Sequence, residues 1–205
     1  SFFSTGQRCT ASSRLIVQAQ VHDAFVARLR QRMSTLKVGH ALERGTEIGP
    51  VVNSDQLDQN QSYLAIARDE GAEHVFGGEL LERSTPGHYM NPALFLAKPE
   101  HRVAREEIFG PVACVLRADD YDHALALAND TPFGLCAGIC TTSLKHAMHF
   151  KRHADVGMTM VNLPTAGVDF HVPFGGRKGS SYGPREQGRY AADFYTAVKT
   201  SYVLA

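Results

Sequence analysis

The residues of this chain best suited to covalent chemistry are Gly6-Gln7-Arg8-Cys9-Thr10. A cysteine retained for packing usually sits inside an apolar run. Cys9 instead sits in a polar turn opened by glycine, ahead of the strand-like Arg14-Leu15-Ile16-Val17-Gln18. An unperturbed thiol is only about 3% thiolate at pH 7. Arg8 and the N–H groups of a tight turn could raise that fraction, and the same N–H groups could hold an oxyanion formed by attack on a carbonyl. The local residues leave a second reading open, an incidental surface cysteine.

Three further constellations stand out. In Glu106-Glu107-Ile108-Phe109-Gly110-Pro111-Val112, two carboxylates lead into an aromatic and a Gly-Pro turn at the start of a strand. A carboxylate there could accept hydrogen bonds from a ribose diol, and Phe109 could pack on a flat ring; the plainer reading is a solvated acidic loop. Pro173-Phe174-Gly175-Gly176-Arg177-Lys178-Gly179-Ser180 carries adjacent glycines but neither dinucleotide nor P-loop spacing, so it reads as a turn that presents Phe174. His146, His149 and His153 share a helix face without an acidic partner in a ligand pattern, and read as a polar face rather than a metal site. No HExxH occurs.

These residues need elements to position them. Val21, Phe25, Leu29, Met33 and Leu36 recur at helical steps and predict a helix over about 20–37. A Gly/Pro loop through Gly39, Gly45, Gly49 and Pro50 follows. Ser54 is expected to cap a helix to about residue 70 with Leu57, Tyr63, Leu64 and Ala67 inward and Gly71 as its stop. Short strands are expected at 74–76 and 93–96. From Pro111 the rhythm is regular: strands at 112–116, 135–141 and 157–162 alternate with helices at 121–129 and 143–154. That alternation argues for an α/β fold with a mostly parallel sheet flanked by helices. A Gly/Pro-rich loop spans about 163–188, then a short helix at 186–194 and a β-branched, aromatic strand at 197–204. Such a terminal strand can add to another sheet.

Bulk properties narrow the classes. The 205 residues are 43% hydrophobic and 20% charged, with 21 basic and 21 acidic residues. This is an ordinary globular composition, without a charge excess for nucleic acid or an anionic membrane. No apolar run reaches a membrane span and no signal peptide opens the sequence. The four cysteines form no CxxC pair, and Cys114, Cys136 and Cys140 are expected as buried small hydrophobes. A cytoplasmic location is the expectation.

Taken together, the motifs resemble the aldehyde dehydrogenase superfamily. The likeness runs from Phe2-Phe3 and Gly6-Gln7-Arg8-Cys9 through Glu47-Ile48-Gly49-Pro50 and Glu106–Val112. It continues in Val161-Asn162, Pro173–Gly176 with Lys178, Arg185-Glu186 with Gly188, and Val198-Lys199-Thr200. The resemblance implies the family's catalytic domain over residues 1–196 and a C-terminal oligomerisation strand over 197–205. It also implies NAD or NADP as cofactor, an aldehyde substrate, and a homo-oligomer, dimer or tetramer. In that frame Cys9 is the nucleophile, forming a thiohemiacetal and then a thioester. Glu107 and Phe109 fall where the family contacts the nicotinamide ribose, and Phe3, Arg8, Thr10, Phe170 and Phe174 where it lines the aldehyde pocket. Residues 162–173 and 180–188 are similar to the 2,5-dioxopentanoate (α-ketoglutaric semialdehyde) dehydrogenases. They depart from the general pattern in Ser180-Ser181, in one extra residue before Arg185, and in Ile48 on the ribose-side loop, where some members carry glutamine.

The family's cofactor domain, water-activating glutamate and oxyanion asparagine precede the cysteine, so little turnover is expected from this chain alone. Two other readings are a non-catalytic assembly module held through 197–204, and a cofactor-independent cysteine hydrolase using Cys9.

Overall fold

A computed structural model describes all residues, 1–205, as two compact units, residues 1–131 and 132–205. In the first unit β1 (Arg14–Gln18) leads to α1 (His22–Met33), and α2 (Ser54–Asp69) leads to β2 (Glu73–Phe76). Two short strands follow, β3 (Leu80–Leu81) and β4 (Tyr89–Met90), then β5 (Ala93–Leu96), α3 (Arg102–Arg105), β6 (Val112–Ala118) and α4 (Tyr121–Asn129). The main sheet has the order β1-β6-β5-β2. β6 pairs parallel with β1 and with β5, while β2 is antiparallel to β5.

The sheet is covered on both faces, which is why β6 is a nearly unbroken apolar run rather than an alternating one. Phe95, Val112, Cys114 and Leu116 face Leu64 and Ala67 of α2. Leu94, Ala113 and Val115 face the other way, into a cluster with Met33 of α1, Val38, Ile48 and Phe2. Ile48 is therefore a core residue, 2% exposed. No helix is long and apolar enough to cross a membrane.

α2 is the element that later carries the site, and its ends are well defined. The cap is Asn53, not Ser54: the Asn53 side chain accepts from the Gln56 N–H at 2.9 Å, because its extended backbone places the carbonyl oxygen over the first turn. At the other end Gly71 adopts φ +82°, the Ala72 N–H donates to Ala67 O at 2.8 Å, and the Gly71 N–H donates to Arg68 O at 2.9 Å. This paired closure needs a residue free to enter the left-handed region.

In the second unit β7 (Phe133–Gly134) and β8 (Cys136–Ile139) precede α5 (Leu144–His153) and β9 (Met158–Val161); β10 (Arg177–Lys178) and α6 (Ala191–Tyr195) follow. β8 and β9 are parallel across α5, and β10 is antiparallel to β7. The expected strand at 197–204 is not formed. Residues 196–205 make no ladder, because a strand exists only against a second strand and this segment has none. Cys114 is buried as expected, and burial pushes its thiol up to about 12. Cys136 is half-buried and Cys140 exposed, the latter because it lies just beyond the last residue of β8.

Phe95, fully buried at the centre of the sheet, gives the fold its most direct test. Phe95→Ala is expected to lower the unfolding free energy by about 3–5 kcal/mol, read from urea denaturation.

Candidate active site

Cys9 is exposed and free, in a turn closed by the Ala11 N–H donating to Arg8 O at 2.9 Å. The backbone leading into it is unusual. Ser4, Thr5 and Gly6 adopt φ +52°, +61° and +68°, three successive left-handed residues of which one is β-branched. Such conformations persist only where the surroundings over-determine them, and they cluster at functional sites. Here the restraints are visible. Phe2 is buried in the core, and the Thr5 N–H donates to Phe2 O at 3.0 Å. Thr5 Oγ1 donates to Gly49 O at 3.1 Å, and Gln7 Oε1 accepts from the Val52 N–H at 3.0 Å. The loop through Gly49 and Pro50 is thus the shelf on which the cysteine turn rests. That shelf is itself tied down: Glu47 pairs with Arg32 and accepts from the Lys37 N–H at 3.1 Å. These bonds hold the Glu47 carboxyl below the ordinary carboxylate range.

The second loop meets the first at two glycines. A Cβ on Gly6 would lie 2.1 Å from Gly110 O, so only glycine permits the approach. Across this loop the two carboxylates take different parts. Glu106 accepts from Tyr63 Oη at 2.6 Å and from Arg102 Nε and Nη2 at 2.9 and 3.0 Å. The Arg102 guanidinium first, and then the Tyr63 hydroxyl, hold its carboxyl below the usual glutamate range. Glu107 is exposed and takes no protein partner. Phe109 follows at φ +56°, its ring 40% exposed. A free carboxylate beside an aromatic held in a left-handed conformation suits a ribose diol and a flat ring, so these residues fit a dinucleotide. The residue types of the loop did not separate the two glutamates, and only the family resemblance singled out Glu107, because the partners that occupy Glu106 include Tyr63, 43 positions away.

The remaining predicted pocket residues divide. Phe3 is exposed, and the Arg8 guanidinium lies over its ring, 5.1 Å from the centroid. Thr10 is buried beside Cys9. Phe170, 84% exposed, and Phe174, half-buried, belong to the second unit, where Phe174 bridges to Glu186. The Gly175-Gly176 pair there is a close backbone approach: a Cβ on Gly157 would lie 1.9 Å from Gly175 O. His149 and His153 stack at 3.9 Å, and no group of three or more His, Cys, Asp or Glu side chains is arranged to hold a metal ion.

Comparison with known proteins decides the family. The aldehyde dehydrogenase family model matches residues 1–201. The chain belongs to the aldehyde dehydrogenase family. Among curated members it is 42% identical over 99% of its length to the alpha-ketoglutaric semialdehyde dehydrogenase of Bacillus subtilis (strain 168). It is 43% identical over 98% to the corresponding enzyme of Haloferax volcanii and 40% identical over 99% to a betaine aldehyde dehydrogenase of Sinorhizobium fredii. It spans 42% of the length of each of these relatives. Among solved aldehyde dehydrogenase folds, HpcC from Thermus thermophilus superposes with a TM-score of 0.91 at 37% identity, covering 97% of this chain and 39% of that one. Betaine aldehyde dehydrogenase from Staphylococcus aureus in complex with NAD+ superposes with a TM-score of 0.89 at 28% identity, covering 94% and 38%.

Two outcomes follow from this geometry. Gly110→Ala would place a Cβ 2.1 Å from the buried Asn60 amide, and is expected to destabilise the first unit by about 1–3 kcal/mol in urea unfolding. The depressed carboxyl of Glu106 contributes stability that is complete above the ordinary glutamate value of 4.5 and is lost as pH falls through its lower folded value. Unfolding midpoints measured across acid pH should therefore decline less steeply in Glu106→Gln than in the parent chain.

Proposed function

We propose that this chain supplies the catalytic portion of an NAD(P)-dependent aldehyde dehydrogenase, with Cys9 as nucleophile. The observation that carries this reading is an exposed, unpartnered cysteine on a strained turn that abuts the Glu107–Phe109 loop. Cys9 Sγ adds to the aldehyde carbon, and the carbonyl π pair moves to oxygen as an oxyanion. The Cys9 N–H donates to nothing in the protein and is available to that oxyanion. Glu107 would accept from the ribose hydroxyls of the dinucleotide and Phe109 would pack beside it. When bound, the dinucleotide supplies the hydride acceptor that the chain's own side chains lack. The acyl group left on Sγ is a thioester; water releases the carboxylic acid and restores the thiol. The dinucleotide domain would come from the part of the relatives' length that has no counterpart in residues 1–205.

The substrate we favour is α-ketoglutaric semialdehyde. The relatives at similar identity include enzymes for an anionic aldehyde and for the cationic betaine aldehyde, so charge separates the two. Arg8, exposed and adjacent to Cys9, suits a carboxylate and repels a trimethylammonium group. The exposed tail, with Val198, Tyr202, Val203 and Leu204 each 91–100% accessible, would add as a strand to a neighbouring copy, giving the homo-oligomer.

In the intact enzyme, Cys9→Ala is expected to reduce aldehyde oxidation to background. Arg8→Leu is expected to raise KM for α-ketoglutaric semialdehyde by about tenfold or more, the worth of a charge-assisted hydrogen bond, with little change for betaine aldehyde. An unchanged KM for the carboxylated aldehyde would remove Arg8 from that role.

A further inference from the structure

We propose that Gln56, Gln59 and Asn60 of α2 are positioning residues that set the spacing between the cysteine turn and the Glu107–Phe109 loop. The functional part of this inference rests on the reading of Glu107 and Phe109 as cofactor contacts. The three residues stand at i, i+3 and i+4, so they share one helix face. Both side-chain amides of Gln56 and Gln59 donate to Ile108 O, at 2.8 and 3.0 Å. A single carbonyl thus has both lone pairs taken by side chains of one helix. Gln56 Nε2 also donates to Asn60 Oδ1 at 3.0 Å, which fixes the Asn60 amide.

Asn60 is 0% exposed, and its Nδ2 has no hydrogen-bond partner. Buried amides are normally satisfied, so an unpaired one marks a place where position has been kept at the expense of bonding. Its position is explained by what lies against it. A Cβ on Gly110 would meet Asn60 Oδ1 at 2.1 Å, and a Cβ on Gly6 would meet Gly110 O at 2.1 Å. Asn60, Gly110 and Gly6 form a stack in which the amide supports one loop and that loop supports the other. Ile108, clamped by the glutamines, immediately precedes Phe109, whose φ of +56° needs such support. Movement of the clamp therefore reaches Glu107 and Phe109 directly, and the cysteine turn through Gly110.

The test uses Gln56→Ala, Gln59→Ala and the double variant of the 205-residue chain. Hydrogen exchange is read over residues 106–110, with iodoacetamide labelling of the buried Cys114 as the reporter of global opening. In each single variant the remaining glutamine still serves Ile108 O, so exchange should rise less than about threefold. In the double variant the buried carbonyl is left unpaired, and exchange should rise by about tenfold or more while Cys114 stays unlabelled. In the intact enzyme the double variant should weaken NAD(P) binding, measured as Kd by nucleotide fluorescence, by a comparable factor. Additive single effects, or a rise spread over the whole sheet with Cys114 labelled, would overturn the positioning role. A faster-exchanging loop with unchanged Kd would overturn the cofactor reading beneath it and leave the mechanical role standing.

Discussion

Gly6 passes so close to the carbonyl of Gly110 that no side chain fits between them. The rest of the site depends on that contact. It brings a turn near the start of the sequence against a loop about a hundred residues later, and so places a thiol on one side and a free carboxylate with an aromatic ring on the other. Neither loop is relaxed: Ser4, Thr5 and Phe109 all hold left-handed conformations that isolated peptides avoid. The strain is sustained because each loop is bonded at several points to something more rigid, the cysteine turn to the Gly49–Val52 shelf and the Glu107 loop to α2.

The rigidity originates in a sheet packed on both faces. α2 can act as a fixed platform because Leu64 and Ala67 are buried against Phe95 and Cys114 while its polar residues Gln56, Gln59 and Asn60 reach the loop. The other face secures Phe2, the anchor just upstream of the cysteine turn. Glu106 contributes a third restraint. Its bonds to Arg102 and Tyr63 tie the start of the loop to α3 and α2, and so leave its neighbour Glu107 as the open carboxylate.

Much of this was legible from residue types. Helices at 54–69 and 121–129 follow from apolar spacing and strong end signals, and the long strand at 112–118 follows from its apolar run. Cys9 was legible as unusual, since a polar glycine turn is a poor place for a packing cysteine. Other features were not local. The two-residue strands β3 and β4 and the single-turn α3 are too short to carry a period. The expected strand at 197–204 has the right residues but no partner to bond. Gln56, Gln59 and Asn60 carry no local signal of their own; only the fold shows that they meet a strained loop. The division of labour between Glu106 and Glu107 likewise depends on Tyr63, which no local pattern links to either.

The central claim is that Cys9 carries the acyl group. It is tested most directly by mixing the intact enzyme with α-ketoglutaric semialdehyde and NAD(P), quenching in acid during turnover, and mapping the peptides by mass spectrometry. The account predicts a thioester-linked acyl mass on the peptide containing Cys9 and none on those containing Cys114, Cys136 or Cys140. Acid product formed with Cys9 unmodified, or an acyl group on another cysteine, would contradict it.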